Sequence, residues 1–257
     1  MGYWSGRAHG EAFRLFGPRH LGALAATGLG IAATLALGRA QDEPGRRRTR
    51  AVLVAGLWGQ EAVYHGWKAW HGQWNLKEML PLHLCSVLVW VGGANLLRPT
   101  RSGDDLAWYW GMAGAPQALL TPDLAEFGAR HFRFHQFFAS HGLVLVVPLW
   151  QVVVEGRRPT AAGGVRAWSL LLAHAGVAHL VNRRVGSNYM FVTRKPDTAS
   201  ILDTMPPWPG YVPVLVALAA AWFAASYAPF AVADAVRADR PRRRPLSTSS
   251  AARSARR

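Results

Sequence analysis

Cys85 is the only cysteine among the 257 residues, and it lies in an uncharged stretch, residues 80–97, that is long enough to cross a membrane as a helix. A thiolate is a strong nucleophile, and a nearby histidine can take the thiol proton. His141 lies five residues past Gln136, as Cys85 lies five past Leu80. On two helices entering from the same side, both side chains therefore lie at a similar depth. This permits a Cys85–His141 pair.

His83 is the histidine nearest to Cys85 in the sequence, yet it is a poor partner on the same helix. We expect Pro81 in the first helical turn, where proline is tolerated. On a continuous helix His83 then lies about 200° around the axis from Cys85. We therefore expect His83 to cap the helix or to contact another helix.

Further polar residues fall at the same end of the predicted helices as Cys85. Glu61 and His65 are four residues apart and share a helix face, and His179 and Asn182 share another. The long segment 186–210 contains aromatic residues and prolines, and we expect it to cover this end. We predict a polar chamber there, with substrate-binding or supporting candidates at Glu61, His83, Thr121, Asp123, Gln136, His179, Asn182, Asn188 and Tyr189.

Simpler roles for these residues stay open at this point. A free cysteine often behaves as a small buried hydrophobe. His141 could form a hydrogen bond between helices, which membrane helices use commonly. Glu61 could lie close enough to the interface to be solvated.

The elements that must position these residues are apolar runs separated by basic segments. Hydrophobic residues make up 51% of the chain, yet the mean hydropathy is only +0.06. We predict an all-α fold, a polytopic transmembrane bundle of about seven spans, as one domain over residues 1–236. The run at 106–120 is the weakest because it is short and contains Pro116. The apolar runs are residues 21–37, 51–63, 80–97, 106–120, 137–154, 167–181 and 212–232.

The net charge of +15 does not indicate a nucleic-acid partner, because the basic residues lie between the apolar runs and at the C-terminus. Most of them fall on one side of a seven-span bundle. The positive-inside rule then predicts an outside N-terminus and a cytoplasmic C-terminus in a cell membrane. We expect the Arg-rich tail, residues 237–257, to be disordered and to touch anionic lipid.

Several short motifs occur in an order that resembles the YwaF-like family of bacterial multispan membrane proteins. That family is related to an animal multispan protein described as a phospholipid acyltransferase with a cysteine nucleophile. The resemblance covers about residues 16–211, although Gly210 stands where a bulkier aromatic is expected. The motifs are Leu80-Pro-Leu-His-Leu-Cys85, Leu120-Thr-Pro-Asp123, His141-Gly142, Asn188-Tyr-Met-Phe191 and Pro207-Trp-Pro-Gly-Tyr211.

The resemblance implies that Cys85 is a nucleophile, that His141 is its companion, and that membrane phospholipid is both substrate and solvent. The expected activity is acyl transfer or acyl-ester hydrolysis through a cysteine thioester. The oligomeric state stays open.

Three other classes stay open. A transporter would use the polar residues as a path, although the sequence shows no internal repeat of the kind many transporters have. A metal-dependent hydrolase would need ligand spacing such as His-Glu-x-x-His, which the chain lacks, and we predict neither a metal nor a cofactor. The third of these classes is a non-catalytic membrane protein.

Overall fold

The computed structural model describes residues 2–124, 126–196 and 201–239. Across these ranges the fold is all-α, without strands, as predicted. The seven α-helices are α1 (Pro18–Ala40), α2 (Glu43–Trp70), α3 (Leu84–Leu97), α4 (Arg101–Leu120), α5 (Phe132–Val153), α6 (Ala161–Val185) and α7 (Tyr211–Ala238). Two short 3₁₀ helices, Tyr189–Phe191 and Ile201–Thr204, lie between α6 and α7.

The connections between helices differ in length at the two ends of the bundle. Residues 71–83, 121–131 and 186–210 connect helices at one end, which also receives the segment before Pro18; we call this the long-loop end. The connections at residues 41–42, 98–100 and 154–160 lie at the other, the short-loop end. Cys85 lies at the long-loop end because α3 begins there.

Helix α5 is the centre of the bundle. In its most apolar 18-residue window, 61% of the residues are buried, against 6% for the windows of α1 and α7. The outer helices therefore present apolar side chains outward, as helices surrounded by lipid do. Four helices, α1, α5, α6 and α7, are long and apolar enough to cross a membrane.

The start of α3 differs from the prediction. The helix begins at Leu84, and Pro81 lies in the preceding loop, not in the first helical turn. His83 is the N-cap residue, with an extended backbone. Cys85 is therefore the second residue of α3, and the expectation that Pro81 lies in the first helical turn was wrong. Hydrogen bonds from other elements hold the segment before the helix, as described below.

Side-chain caps fix three helix starts at the short-loop end. Asp42, Thr100 and Thr160 each accept a hydrogen bond from the backbone N–H three residues later, in α2, α4 and α6. Such caps satisfy one of the free N–H groups of a first helical turn. Each connection at this end can therefore be short.

An ion-pair network joins the helices at the short-loop end. The Glu155 carboxylate accepts from Arg50 Nη1 at 2.7 Å and from Trp150 Nε1 at 2.8 Å, and it lies 2.6 Å from Arg157 Nη2. Arg157 Nη1 lies 2.9 Å from Asp104 Oδ1. Most of these side chains are largely buried, so the pairs link α2, α4 and α5 away from bulk water.

The N-terminal segment packs across the long-loop end. Trp67 Nε1 donates to the Trp4 carbonyl at 3.0 Å, and His131 Nε2 donates to the Ser5 carbonyl at 2.8 Å. Backbone carbonyls bonded by distant side chains leave no pattern in the sequence, which is why this contact was missed.

The segment after α6, residues 186–196 and 201–210 of the described chain, is held by its own hydrogen bonds, and we call it the cover. Trp208 Nε1 donates to the Val192 carbonyl at 3.1 Å, and Lys195 Nζ donates to the Met205 carbonyl at 2.8 Å. Residues 197–200 lie outside the described residues. So does the Arg-rich tail beyond Asp239, and its predicted disorder stays a prediction.

The Glu155 network gives a stability prediction. Glu155→Gln keeps the shape but removes the charge that two arginines share, so we expect the free energy of unfolding to fall by about 2 kcal/mol. Equilibrium unfolding in mixed detergent micelles measures it. The control Asp234→Asn removes an exposed partner of Arg158 and should cost less than about 1 kcal/mol. Equal effects of both variants would contradict the network's role.

Candidate functional site

The Cys85 thiol lies where α3 meets α4. It is free and half-buried. A Cβ added to Gly114 of α4 would lie 3.2 Å from the Cys85 sulfur. Glycine at this position therefore leaves room for the thiol between the two helices.

His141 is a half-buried residue of α5 with a defined tautomer. Its Nδ1 lies 2.8 Å from the carbonyl oxygen of Phe137, one turn earlier in the same helix. A carbonyl oxygen only accepts, so Nδ1 carries the proton and Nε2 of the neutral ring has the free lone pair. The ring also stacks on Phe137, with the centroids 4.1 Å apart. The hydrogen bond and the stacking hold a basic nitrogen in one orientation.

The packing of α3 against α5 sets the relative level of Cys85 and His141. The two helices run in the same direction, and a Cβ on Gly92 would lie 3.4 Å from a methyl carbon of Val147. Cys85 lies seven residues before Gly92 on α3, and Ser140, the neighbour of His141, lies seven residues before Val147 on α5. At ~1.5 Å per residue, both lie the same distance from this contact toward the long-loop end. The similar depth thus arises from this register and not from the predicted entry points.

Both residues lie on helix faces that meet α4. Gly111 of α4 contacts Pro148 of α5 and Leu88 of α3. Pro148 is seven residues, two turns, from His141, and Leu88 is three residues from Cys85, so each pair shares a face. Within the described residues no hydrogen bond joins Cys85 to His141.

Two histidines hold the backbone just before Cys85. His174 of α6 donates from Nε2 to the Leu82 carbonyl at 3.0 Å. His83 Nδ1 accepts from the Met190 N–H at 3.3 Å, so His83 contacts the short 3₁₀ helix after α6, and its side chain does not cap α3. The bond of His174 to a backbone carbonyl gives this histidine a positioning role that no spacing in the sequence could indicate.

Tyr189 and Asn182 fix the cover to the segment before Cys85. The Tyr189 hydroxyl accepts from the Leu80 N–H at 2.9 Å and donates to the Leu76 carbonyl at 2.7 Å. Asn182 Oδ1 accepts from the Tyr189 N–H at 2.7 Å, and its Nδ2 donates to the Tyr189 carbonyl at 2.9 Å. Both side chains are buried. They act on Cys85 through the backbone that precedes it.

The Asn188 side chain forms its hydrogen bonds within the cover. Its Oδ1 accepts from the Thr193 hydroxyl at 3.0 Å and from the Arg194 N–H at 3.2 Å, and its Nδ2 donates to the Arg194 carbonyl at 3.0 Å. The side-chain amide of Asn188, a predicted substrate-binding or supporting residue, is therefore occupied by its own loop.

Glu61 and Gln136 belong to a hydrogen-bonded chain between α2 and α5. Gln136 Nε2 donates to Gln60 Oε1 at 2.8 Å, and Gln60 Nε2 donates to Glu61 Oε2 at 3.3 Å. Glu61 Oε1 lies 3.4 Å from His65 Nε2, and His65 Nδ1 accepts from Trp74 at 3.0 Å. Both Glu61 and Gln136 are buried, so Glu61 is partnered inside the protein and is not simply solvated.

Three predicted residues lie at the edge of this region. Thr121 is exposed at the end of α4, where its hydroxyl donates to the Gln117 carbonyl at 2.9 Å. Asp123 is exposed and acts electrostatically on His83. His179 lines a separate apolar cavity together with Trp208. Across the described ranges, no group of three or more His, Cys, Asp or Glu side chains could hold a metal ion.

Comparison with known proteins gives one match. The family model for the TMEM164 family covers residues 15–227. The matched range includes Cys85, His141 and the cover. No curated protein and no solved structure gives a significant match.

The anchoring by Tyr189 gives a prediction for local stability. Tyr189→Phe removes only the hydroxyl, so the half-buried Leu80 N–H loses its acceptor, at a cost of about 1.5 kcal/mol. We expect faster hydrogen exchange in peptides covering residues 74–84, measured by mass spectrometry. Tyr211→Phe, whose hydroxyl bonds to the Phe191 carbonyl, should leave that segment unchanged. Unchanged exchange in Tyr189→Phe would refute the anchoring.

Proposed function

This chain belongs to the TMEM164 family of membrane proteins, and on that premise we propose that it is a membrane-embedded lipid acyltransferase or acyl-ester hydrolase. Cys85 is the nucleophile and His141 the general base. The supporting observation is the register of α3 against α5, with Gly92 facing Val147. It brings the thiol to the level of a histidine whose Nε2 has the free lone pair.

The first half-reaction forms a thioester. His141 Nε2 takes the Cys85 thiol proton, and the sulfur attacks the ester carbonyl carbon of a membrane lipid. The carbon–oxygen ester bond breaks, and the proton on His141 passes to the leaving lipid oxygen. The acyl group is then held on Cys85, with its chain among the apolar helices.

The second half-reaction releases the acyl group. An acceptor hydroxyl, from a lipid or from water, gives its proton to His141 Nε2 and attacks the thioester carbonyl. The carbon–sulfur bond breaks, and the proton returns to the Cys85 sulfur. A lipid acceptor makes the protein a transferase, and water makes it a hydrolase.

The first turn of α3 supplies donors for the oxyanion. The first N–H groups of a helix have no partner within the helix, and the His83 side chain does not cap them. Cys85 lies in that turn, so an oxyanion formed next to its sulfur faces backbone N–H groups and the positive end of the helix dipole. These amides suit the role better than Asn188, whose side chain is bonded within the cover.

A transporter is less consistent with the packing. The bundle interior between the two ends contains Leu57, Val89, Val144 and Trp150, each at most 1% exposed. Beyond them the ion pairs of Glu155 join the helices at the short-loop end. A polar path from Glu61 would have to cross both this apolar interior and the ion pairs of Glu155.

We further propose that all seven helices cross a bacterial plasma membrane, with the N-terminus outside and the C-terminus in the cytoplasm. The alternating helix directions and the arginines of the short-loop end support this orientation, because cytoplasmic segments are rich in arginine. The motif order supports the closer relation to YwaF-like proteins. Contact of the Arg-rich tail with anionic lipid is part of the same proposal.

The catalytic assignment predicts the behaviour of three variants. Transfer of label from a radiolabelled phospholipid should be abolished in Cys85→Ala and in Cys85→Ser. It should fall by about 10²-fold in His141→Gln, the loss typical for a general base. The rate is measured with purified protein in micelles. His20→Gln is a fold-matched control, because His20 is a buried histidine that bonds to the Leu119 carbonyl. Undiminished activity in Cys85→Ala would remove the nucleophile.

The orientation is testable because Cys85→Ser leaves no other cysteine. In that background we expect Lys77→Cys, at the long-loop end, to react with an impermeant maleimide on intact spheroplasts. Ser102→Cys, exposed at the short-loop end, should react only after permeabilisation. The reverse pattern would overturn the orientation, and labelling of both from outside would contradict the alternation of the spans.

A further inference from the structure

Arg133 lies near the beginning of α5, two turns before His141. Its guanidinium lies over the Tyr64 ring at 4.6 Å and over the Phe137 ring at 5.6 Å. The same Phe137 ring stacks with His141. Arg133, Phe137 and His141 are spaced four residues apart and share a helix face. The guanidinium therefore lies between α5 and α2, and the Phe137 ring lies between it and the candidate base.

The charge of Arg133 is not neutralised by a carboxylate. Its hydrogen bond goes to the side-chain oxygen of Gln136, whose amide then bonds to Gln60. The nearby carboxylate, Glu61, pairs with His65 instead. In the described part of the chain, no Asp or Glu oxygen lies within 4.0 Å of the Arg133 guanidinium.

Four arginines of the short-loop end differ from Arg133 in this respect. Arg50, Arg157, Arg158 and Arg166 each pair with at least one carboxylate there. Arg133 is also only half-exposed, so its charge is partly removed from water. The Gln136 amide and the Tyr64 and Phe137 rings offset the cost of this desolvation. A guanidinium in this state has unused donors, and its planar fork matches the oxygens of a phosphate.

We propose that Arg133 binds the phosphate of the lipid whose acyl ester Cys85 attacks, and that it thereby selects phosphate-bearing lipids over neutral glycerides. This rests on the proposed function. In a glycerophospholipid the phosphate and the nearest acyl ester are attached to neighbouring glycerol carbons. A phosphate bound at Arg133 lies nearer to the long-loop end, and so to the membrane interface, than His141 does. The neighbouring ester then extends toward the thiol.

The gain from this contact can be estimated. Hydrogen bonds to charged groups contribute more than neutral ones. Removal of the guanidinium should weaken phospholipid binding roughly ten-fold, equivalent to about 1.4 kcal/mol. Binding of a neutral glyceride should not change, because it offers no anion.

The test measures binding without chemistry, in full-length Cys85→Ser protein. A photoreactive dioctanoyl phosphatidylcholine and the matched dioctanoylglycerol are cross-linked in micelles, and their apparent affinities are compared. Arg133→Gln should lose the preference for the phospholipid about ten-fold, and Arg133→Lys should lose it partly. Arg130→Gln, an exposed arginine three residues earlier, should keep it. If Arg133→Gln is not monodisperse, the loss in Arg133→Lys decides.

Two results would overturn the inference. The first is an unchanged preference for the phospholipid in the folded Arg133 variants. The second is an equal loss of affinity for both lipids. Failure of the proposed function is distinguishable from failure of this inference. It would leave Cys85 unacylated in the wild-type protein, while the lipid preference of the Cys85→Ser protein still depends on Arg133.

Discussion

The close packing of α3 against α4 and α5 is the constraint on which the rest of the structure depends. Glycines at positions 111 and 114 allow this approach, because a Cβ there would come within 3.3 Å of Pro148 and within 3.2 Å of the Cys85 sulfur; a Cβ at Gly92 would make ordinary contact with Val147. The contact fixes the register of α3 along α5 and thereby the level of the thiol. It also makes α5 the most buried of the four helices that could cross a membrane.

The two ends of the bundle use polar groups differently. At the short-loop end, charged side chains pair with each other: Glu155 joins Arg50 and Arg157, and Asp105 joins Arg166. At the long-loop end, side chains mostly bond to backbone groups of other segments, as His174 does to Leu82. The first arrangement joins helices, whereas the second holds the non-helical backbone in place before Cys85.

The sequence predicted the all-α fold and the membrane class, because apolar runs indicate membrane helices. It also predicted the end at which Cys85 lies, because successive helices alternate in direction. It placed the start of α3 wrongly, since Pro81 fits a first helical turn as well as an extended segment. It also missed the positioning role of His174 and the packing of Trp4 against Trp67. These contacts join a side chain to a distant backbone carbonyl, and any residue type can offer a carbonyl. Arg133 was missed because an unpaired charge is recognisable only when its neighbours are known.

The central claim is that Cys85 carries the acyl group between donor and acceptor. Its most direct test is mass spectrometry of the protein quenched during turnover of a phospholipid. The account predicts an added mass of one acyl chain, located on the peptide that contains Cys85 and removed by hydroxylamine. Turnover with an unmodified Cys85 peptide, or an acyl group on another residue, would contradict it.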